Sequence, residues 1–160
     1  MMHEIMLIHS RNNLIKLELD DHFFQGEHCH VVIRCGNYKV RGELWITFNE
    51  LRRFYDALQS IYRKMIGTAV LYHADMALTI EYMFDLSGNL KINGKYKENP
   101  GQGTELLFRM ISEHYHVEET LRNLKNLFED YSSLKLGVQR REYEMARSEI
   151  ALCQCPLNES

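Results

Sequence analysis

The chain is poor in proline, with only 2 in 160 residues, which argues against long disordered linkers ahead of the tail. It has no basic surplus. Its 19 Lys and Arg stand against 22 Asp and Glu, a formal net charge of −3. That argues against direct nucleic-acid binding and suits a basic or a neutral partner. No apolar run approaches the roughly 18 residues that a membrane helix needs. The opening MMHEIMLIHSRNN lacks a basic leader and a small-residue cleavage site, so a strand or an ordered arm is expected there, not a signal peptide. The four cysteines, Cys29, Cys35, Cys153 and Cys155, make no disulfide framework in a chain this long and read as free thiols of a cytoplasmic protein. Gly94, Gly101 and Gly103 are not followed by Gly-Lys-Ser/Thr, so no phosphate loop and no nucleotide cofactor are expected. There is no internal repeat and no low-complexity tract.

What is present begins with the clearest helix, Thr47 to Gly67 (TFNELRRFYDALQSIYRKMIG). Leu51, Phe54, Leu58, Ile61 and Met65 recur at three- and four-residue steps as one apolar stripe, widened by Tyr55 and Tyr62. Thr47 and Glu50 form a capping box. Arg63 and Lys64 suit the negative end of the helix dipole. Gly67 is expected to supply the left-handed residue that ends the helix.

Strands are read on either side. Asn13 to Asp20 alternates Ile15, Leu17 and Leu19 with Lys16, Glu18 and Asp20. A loop over Asp21 to Gly26 follows, with Phe23 and Phe24 as anchors. His28 to Cys35, Gly36-Asn37 and Tyr38 to Ile46 read as a hairpin, with a bulge expected at Gly42. After the helix come Thr68 to Tyr72, a bend at His73-Ala74-Asp75, and Met76 to Phe84. A turn at Asp85 to Gly88, then Asn89 to Lys97, a loop at Glu98 to Gly103 and a strand from Thr104 to Ile111 follow. A second helix is expected from about His116 to Tyr131, with Val117, Leu121, Leu124, Leu127 and Phe128 as its stripe. Leu134 to Ser160 has a weaker helical pattern and a polar end. The expected fold is α+β: about seven mostly antiparallel strands, two packed helices and a third C-terminal helix if the tail folds. The domain reading is 1–136 as one α+β domain and 137–160 as a helical or flexible tail.

Chemistry-bearing groups are sparse. His28 and His30 share a strand face and could ligate one ion, but no third ligand is evident beside them, so no metal is expected. Cys29 and Cys35 fall on the opposite face with Val31 and Ile33, as core. Cys153-Gln154-Cys155 reads as a pair of exposed thiols. His114 and His116 flank Tyr115 and read as solvated loop histidines, with no nucleophile or oxyanion site beside them. No catalytic residue and no cofactor is assigned.

Three segments in order resemble the WapI-type immunity proteins of bacterial contact-dependent and polymorphic toxin systems, over Trp45 to about Leu136. They are the helix ELRRFYDALQSIYRKMIGTAVL, the hairpin LTIEYMFDLSGNLKINGKY, and the strand ELLFRM followed by the leucine-rich TLRNLKNLF. The chain departs from that pattern at Glu113-His114-Tyr115, where an acidic-Gln-aromatic opening is expected. The resemblance implies a small, non-catalytic cytoplasmic antitoxin that binds a cognate toxin domain non-covalently, with a nuclease as one class of toxin. Acidic loop positions Asp20, Asp21, Glu27, Asp75, Glu98 and Glu113, with Tyr96 and Tyr115, are the candidate partner-binding residues, since acidic groups steer basic partners and tyrosine anchors interfaces. Two other readings are an enzyme or a metal- or small-ligand-binding domain built on His28 and His30, and a self-associating structural module or homodimer using the C-terminal helix and Cys153-Gln154-Cys155.

Overall fold

The computed structural model describes residues 3–20, 28–72, 76–99 and 102–153, without the side chains of 102, 134–140, 142–143 and 148–153. It divides into two compact units, residues 1–125 and 126–160. The expected loop over Asp21 to Gly26, with Phe23 and Phe24, and the expected bend at residues 73–75 lie outside the described residues.

Among its described residues the first unit holds eight strands in two antiparallel sheets, so the fold is α+β with one strand more than the sequence suggested. The first sheet has the order β1 (His3–His9), β2 (Asn13–Leu19), β3 (His28–Cys35), β4 (Tyr38–Trp45). Helix α1 (Phe48–Lys64) follows. The second sheet has the order β5 (Gly67–Tyr72), β6 (Leu78–Phe84), β7 (Leu90–Asn99), β8 (Gln102–Ser112). Helix α2 (Tyr115–Cys153) comes next. The same order, four strands and then a helix, thus occurs twice. In the second unit the chain continues α2, where the Ser132 hydroxyl donates to the Phe128 carbonyl at 2.9 Å.

Each strand buries one face, as period-two patterning requires. Ile15, Leu17 and Leu19 of β2 are buried, as are Cys29, Val31 and Ile33 of β3 and Leu78, Ile80, Tyr82 and Phe84 of β6. Full burial of such a side chain contributes roughly 1.5–3 kcal/mol. Helix α1 buries Leu51, Phe54, Leu58 and Ile61, and the Phe54 ring lies 5.3 Å from that of Tyr82. Both arms of the capping box are present: the Glu50 amide donates to Thr47 Oγ1 at 3.1 Å, and the Thr47 amide to Glu50 Oε2 at 2.7 Å. Met65, read as the end of the stripe, is instead exposed. It is the helix C-cap, in the left-handed region at φ 53°, so the helix stops two residues before Gly67. Gly67, at φ 110°, then opens β5.

Gly42 makes no bulge. The β3–β4 register runs without a break through Val31 and Gly42. The missing side chain makes room for Tyr96 of the second sheet, because a Cβ there would lie 1.8 Å from the Tyr96 hydroxyl oxygen. In the first sheet the register breaks in β1, between Met6 and Ile8. Neighbouring elements satisfy the backbone groups that this bulge frees. Thr120 Oγ1 of α2 lies 2.8 Å from the Met6 carbonyl oxygen, Asn123 Oδ1 accepts from the Met6 amide at 2.8 Å, and the Tyr82 hydroxyl donates to the Leu7 carbonyl at 2.5 Å. Burial raises the pKa of Tyr82 well above the usual tyrosine range, so the hydroxyl keeps the proton that it donates. Met76, expected to begin a strand, sits in the left-handed region at φ 57° instead, and β6 starts at Leu78.

Candidate partner-binding surfaces

Two sheet faces point away from the buried layer, and the registers fix what each displays. On the first sheet, Glu4, Glu18, His30 and Glu43 form one cross-strand row, and Met6, Lys16, Val32 and Arg41 the next. Charges in these rows answer one another. Lys16 Nζ lies 2.8 Å from Glu4 and 2.9 Å from Glu18, and Arg41 reaches Glu18 at 2.9 Å. Glu18 is buried, and its hydrogen bond from Lys16 holds its carboxyl below the usual range against the cost of burial. Glu43 stands 3.6 Å from His28 and 3.5 Å from His30, and the His28 ring packs 5.0 Å from Trp45. The two histidines do share a face, and both stand beside this carboxylate. Among the described residues no group of three or more His, Cys, Asp or Glu side chains is arranged to hold a metal ion. Cys29 is buried among apolar side chains, which pushes its thiol up to about 12 and leaves it protonated and unreactive.

The second sheet displays three rows, with the cross-strand pair Lys97 and Glu105 beyond the first of them. Tyr72, Thr79, Lys95 and Leu107 make the first, Val70, Glu81, Asn93 and Arg109 the second, and Thr68, Met83, Lys91 and Ile111 the third. Leu107 and Ile111 are 71% and 70% exposed, and Tyr72 is 51% exposed. Alternate residues of the same strand, Phe108 and Met110, are buried. Phe108 folds over Gly94, where a Cβ would lie 2.0 Å from the ring. A shallow hollow of about 320 Å³ lies between Tyr72, Met76, Thr79, Glu81, Asn93 and Lys95.

The candidate residues are scattered by the fold. Asp21, Glu27 and Asp75 lie outside the described residues. Asp20 is exposed after β2 in the first sheet. Glu98 and Glu113 are exposed at opposite ends of the second sheet, because Leu90 pairs with Ser112 at one end and Asn99 with Gln102 at the other. The described acidic positions therefore do not make one face. Tyr96 is 3% exposed, and its ring fills the space over Gly42, so it offers a partner no surface. Tyr115 is 55% exposed in the first turn of α2, with its ring 4.2 Å from that of His116. His116 is not a solvated loop residue. It is buried in the first turn of α2 with Nδ1 2.5 Å from the Ser112 hydroxyl, and burial lowers its pKa. Leu107 and Ile111 were missed because ELLFRMI is apolar on both faces and hides the period-two signal.

A model of the immunity protein WapI-like family matches residues 6–132, which is more than half of the chain. The chain belongs to this family. The match runs from β1 into α2 and so takes in both sheets. The fold of this chain is also similar to the crystal structures of Trypanosoma brucei MRP1/MRP2, at 10% sequence identity and a TM-score of 0.50. That alignment covers 84% of this chain and 87% of the other, a likeness of fold alone. No curated protein matches the sequence. No described helix of this family member is long and apolar enough to cross a membrane.

Proposed function

We propose that the protein is a cytoplasmic, non-catalytic antitoxin that binds a cognate toxin domain and blocks it by occlusion. Membership of the immunity protein WapI-like family, over nearly the whole described β-sheet unit, carries this reading. Binding by occlusion asks little chemistry of the protein. It needs a stable scaffold, a face of sufficient area and some exposed anchors, and affinity then rests on a few well-packed residues. The eight strands described supply such a scaffold, and Tyr38, Trp45, Tyr72, Leu107 and Ile111 are large apolar side chains displayed on them.

The test is co-expression. The C-terminal domain of a large secreted protein encoded by a neighbouring reading frame would be expressed as the candidate toxin in a susceptible bacterium with and without this chain. Restored growth together with a co-purifying complex is the expected outcome. Continued killing by a toxin shown to be active, with no complex formed, would overturn the reading.

A further inference from the structure

From the outer face of the second sheet we infer the toxin-binding surface, and a toxin face that is acidic around an apolar centre as the occupant. The inference rests on the antitoxin reading above. Three observations support it. The first is composition: the outer face carries Lys91, Lys95, Lys97 and Arg109 against two carboxylates, Glu81 and Glu105, in a chain whose formal charge is −3. Positive charge is thus gathered where the molecule as a whole is acidic. The second is exposure. Leu107 and Ile111 of β8 stand more than two-thirds exposed on either side of Arg109, with Val70 and Tyr72 exposed across the sheet on β5. Apolar anchors flanked by guanidinium and ammonium groups are the composition that concentrates binding energy at interfaces.

The third is how the charges are held. On the first sheet Lys16 and Arg41 are spent within the face, on carboxylates at 2.8–2.9 Å. A partner would have to break those pairs. On the second sheet Lys95 stands 3.6 Å from Glu105 and Lys91 3.8 Å from Asp85, longer and more exposed pairs that contribute little. Arg109 Nε donates to the neutral Asn93 amide at 3.2 Å, and no carboxylate among the described residues pairs with it. Its guanidinium keeps donors for a carboxylate of the partner, which it can meet in bidentate geometry. The hollow bounded by Tyr72, Met76 and Lys95 gives the face relief into which a partner side chain can settle.

The experiment uses the full chain and that candidate toxin domain, with titration calorimetry as readout. Three proteins are compared: wild type, the triple variant K91E/K95E/R109E, and L107S/I111S. A control, K39E, changes an exposed lysine of β4 on the first sheet. The substituted β8 side chains are mostly in solvent, so the fold is expected to persist, and circular dichroism melts check that it does. The expected result is a loss of affinity of about 100-fold or more for the triple variant and about 10-fold or more for the apolar pair, with K39E unchanged. Wild-type affinity should also weaken as salt is raised. If wild type binds and protects while both variants stay within twofold of it, this surface is overturned and the antitoxin reading stands. If wild type itself does not bind an active toxin, the antitoxin reading fails first. If the variants change only the self-association of the chain, the face is an interface between copies and the inference fails.

Discussion

The Tyr96 hydroxyl of the second sheet lies against Gly42 of the first and donates to the adjacent Glu43 carbonyl at 3.3 Å. A buried aromatic ring can approach a backbone this closely only where no Cβ intervenes. Gly42→Ala is therefore expected to destabilise the protein by about 1–3 kcal/mol, through overpacking rather than lost burial. Urea denaturation measures it. Tyr96→Phe removes the nearest atom, although the ring carbon beyond would still crowd a Cβ at 2.6 Å. The double variant should thus cost less than the sum of the two single changes. Strict additivity would show that the Gly42–Tyr96 contact is not the source.

The bulge in β1 makes a second prediction. Its carbonyls at Met6 and Leu7 face the Thr120 and Tyr82 hydroxyls, and both of those residues are fully buried. Thr120→Val keeps the volume but leaves an acceptor unpaired away from water, at a cost of about 1–3 kcal/mol. Tyr82→Phe should cost a similar amount. Because both hydroxyls serve one kink, the two changes should be coupled in a double-mutant cycle. A Thr120→Val protein as stable as wild type would mean that the bulge is satisfied in some other way.

These two contacts mark where the sequence stops being legible. The alternation NLIKLEL and the stripe Leu51, Phe54, Leu58 and Ile61 are local patterns, and the buried faces follow them. The alternation of Leu90 and Ile92 with Lys91 and Asn93 is equally plain. Nothing local tells that Gly42 answers a tyrosine 54 positions away, or that Thr120 caps a kink in the first strand. Such pairings depend on how the sheets and α2 come together. The exposed face of the second sheet was obscured for a related reason. Leu107 and Ile111 alternate with Leu106, Phe108 and Met110, so an apolar run gives no hint of which residues face solvent. The acidic loop positions looked like a set only because sequence does not show that Glu98 and Glu113 end up at opposite ends of one sheet.

The capping box is a local device, and its worth can be predicted alone. Thr47→Ala frees the Glu50 amide, and the expected loss is about 1 kcal/mol, within the range for hydroxyl N-caps. Thr47→Asp should retain most of that stability, since a carboxylate both accepts from the amide and suits the positive end of the helix. Thermal melts of the three proteins decide it. Equal melting of Thr47→Ala and wild type would show that the cap contributes nothing here.

Acid sensitivity is expected in two stages. His116 has its pKa lowered from 6.5 by burial, and Glu18 has its pKa lowered from 4.5 chiefly by the Lys16 hydrogen bond, with the Lys16 and Arg41 charges adding to it. In both cases the folded state holds the proton less readily than the unfolded chain. Stability from each is therefore present above the ordinary value and lost as pH falls through the folded one. Urea midpoints should begin to drop below about pH 6.5 and drop further below about pH 4.5. Lys16, raised by its hydrogen bonds to Glu4 and Glu18, acts at the other extreme, and its contribution is lost only as pH rises through the alkaline range. Glu18→Gln should lower stability at neutral pH, because Lys16 and Arg41 lose a charged partner, and should flatten the lower acid stage. A Glu18→Gln curve parallel to wild type through the acid range would assign that stage to other carboxylates, of which Asp85, held low by backbone amides of its turn, is the first to test.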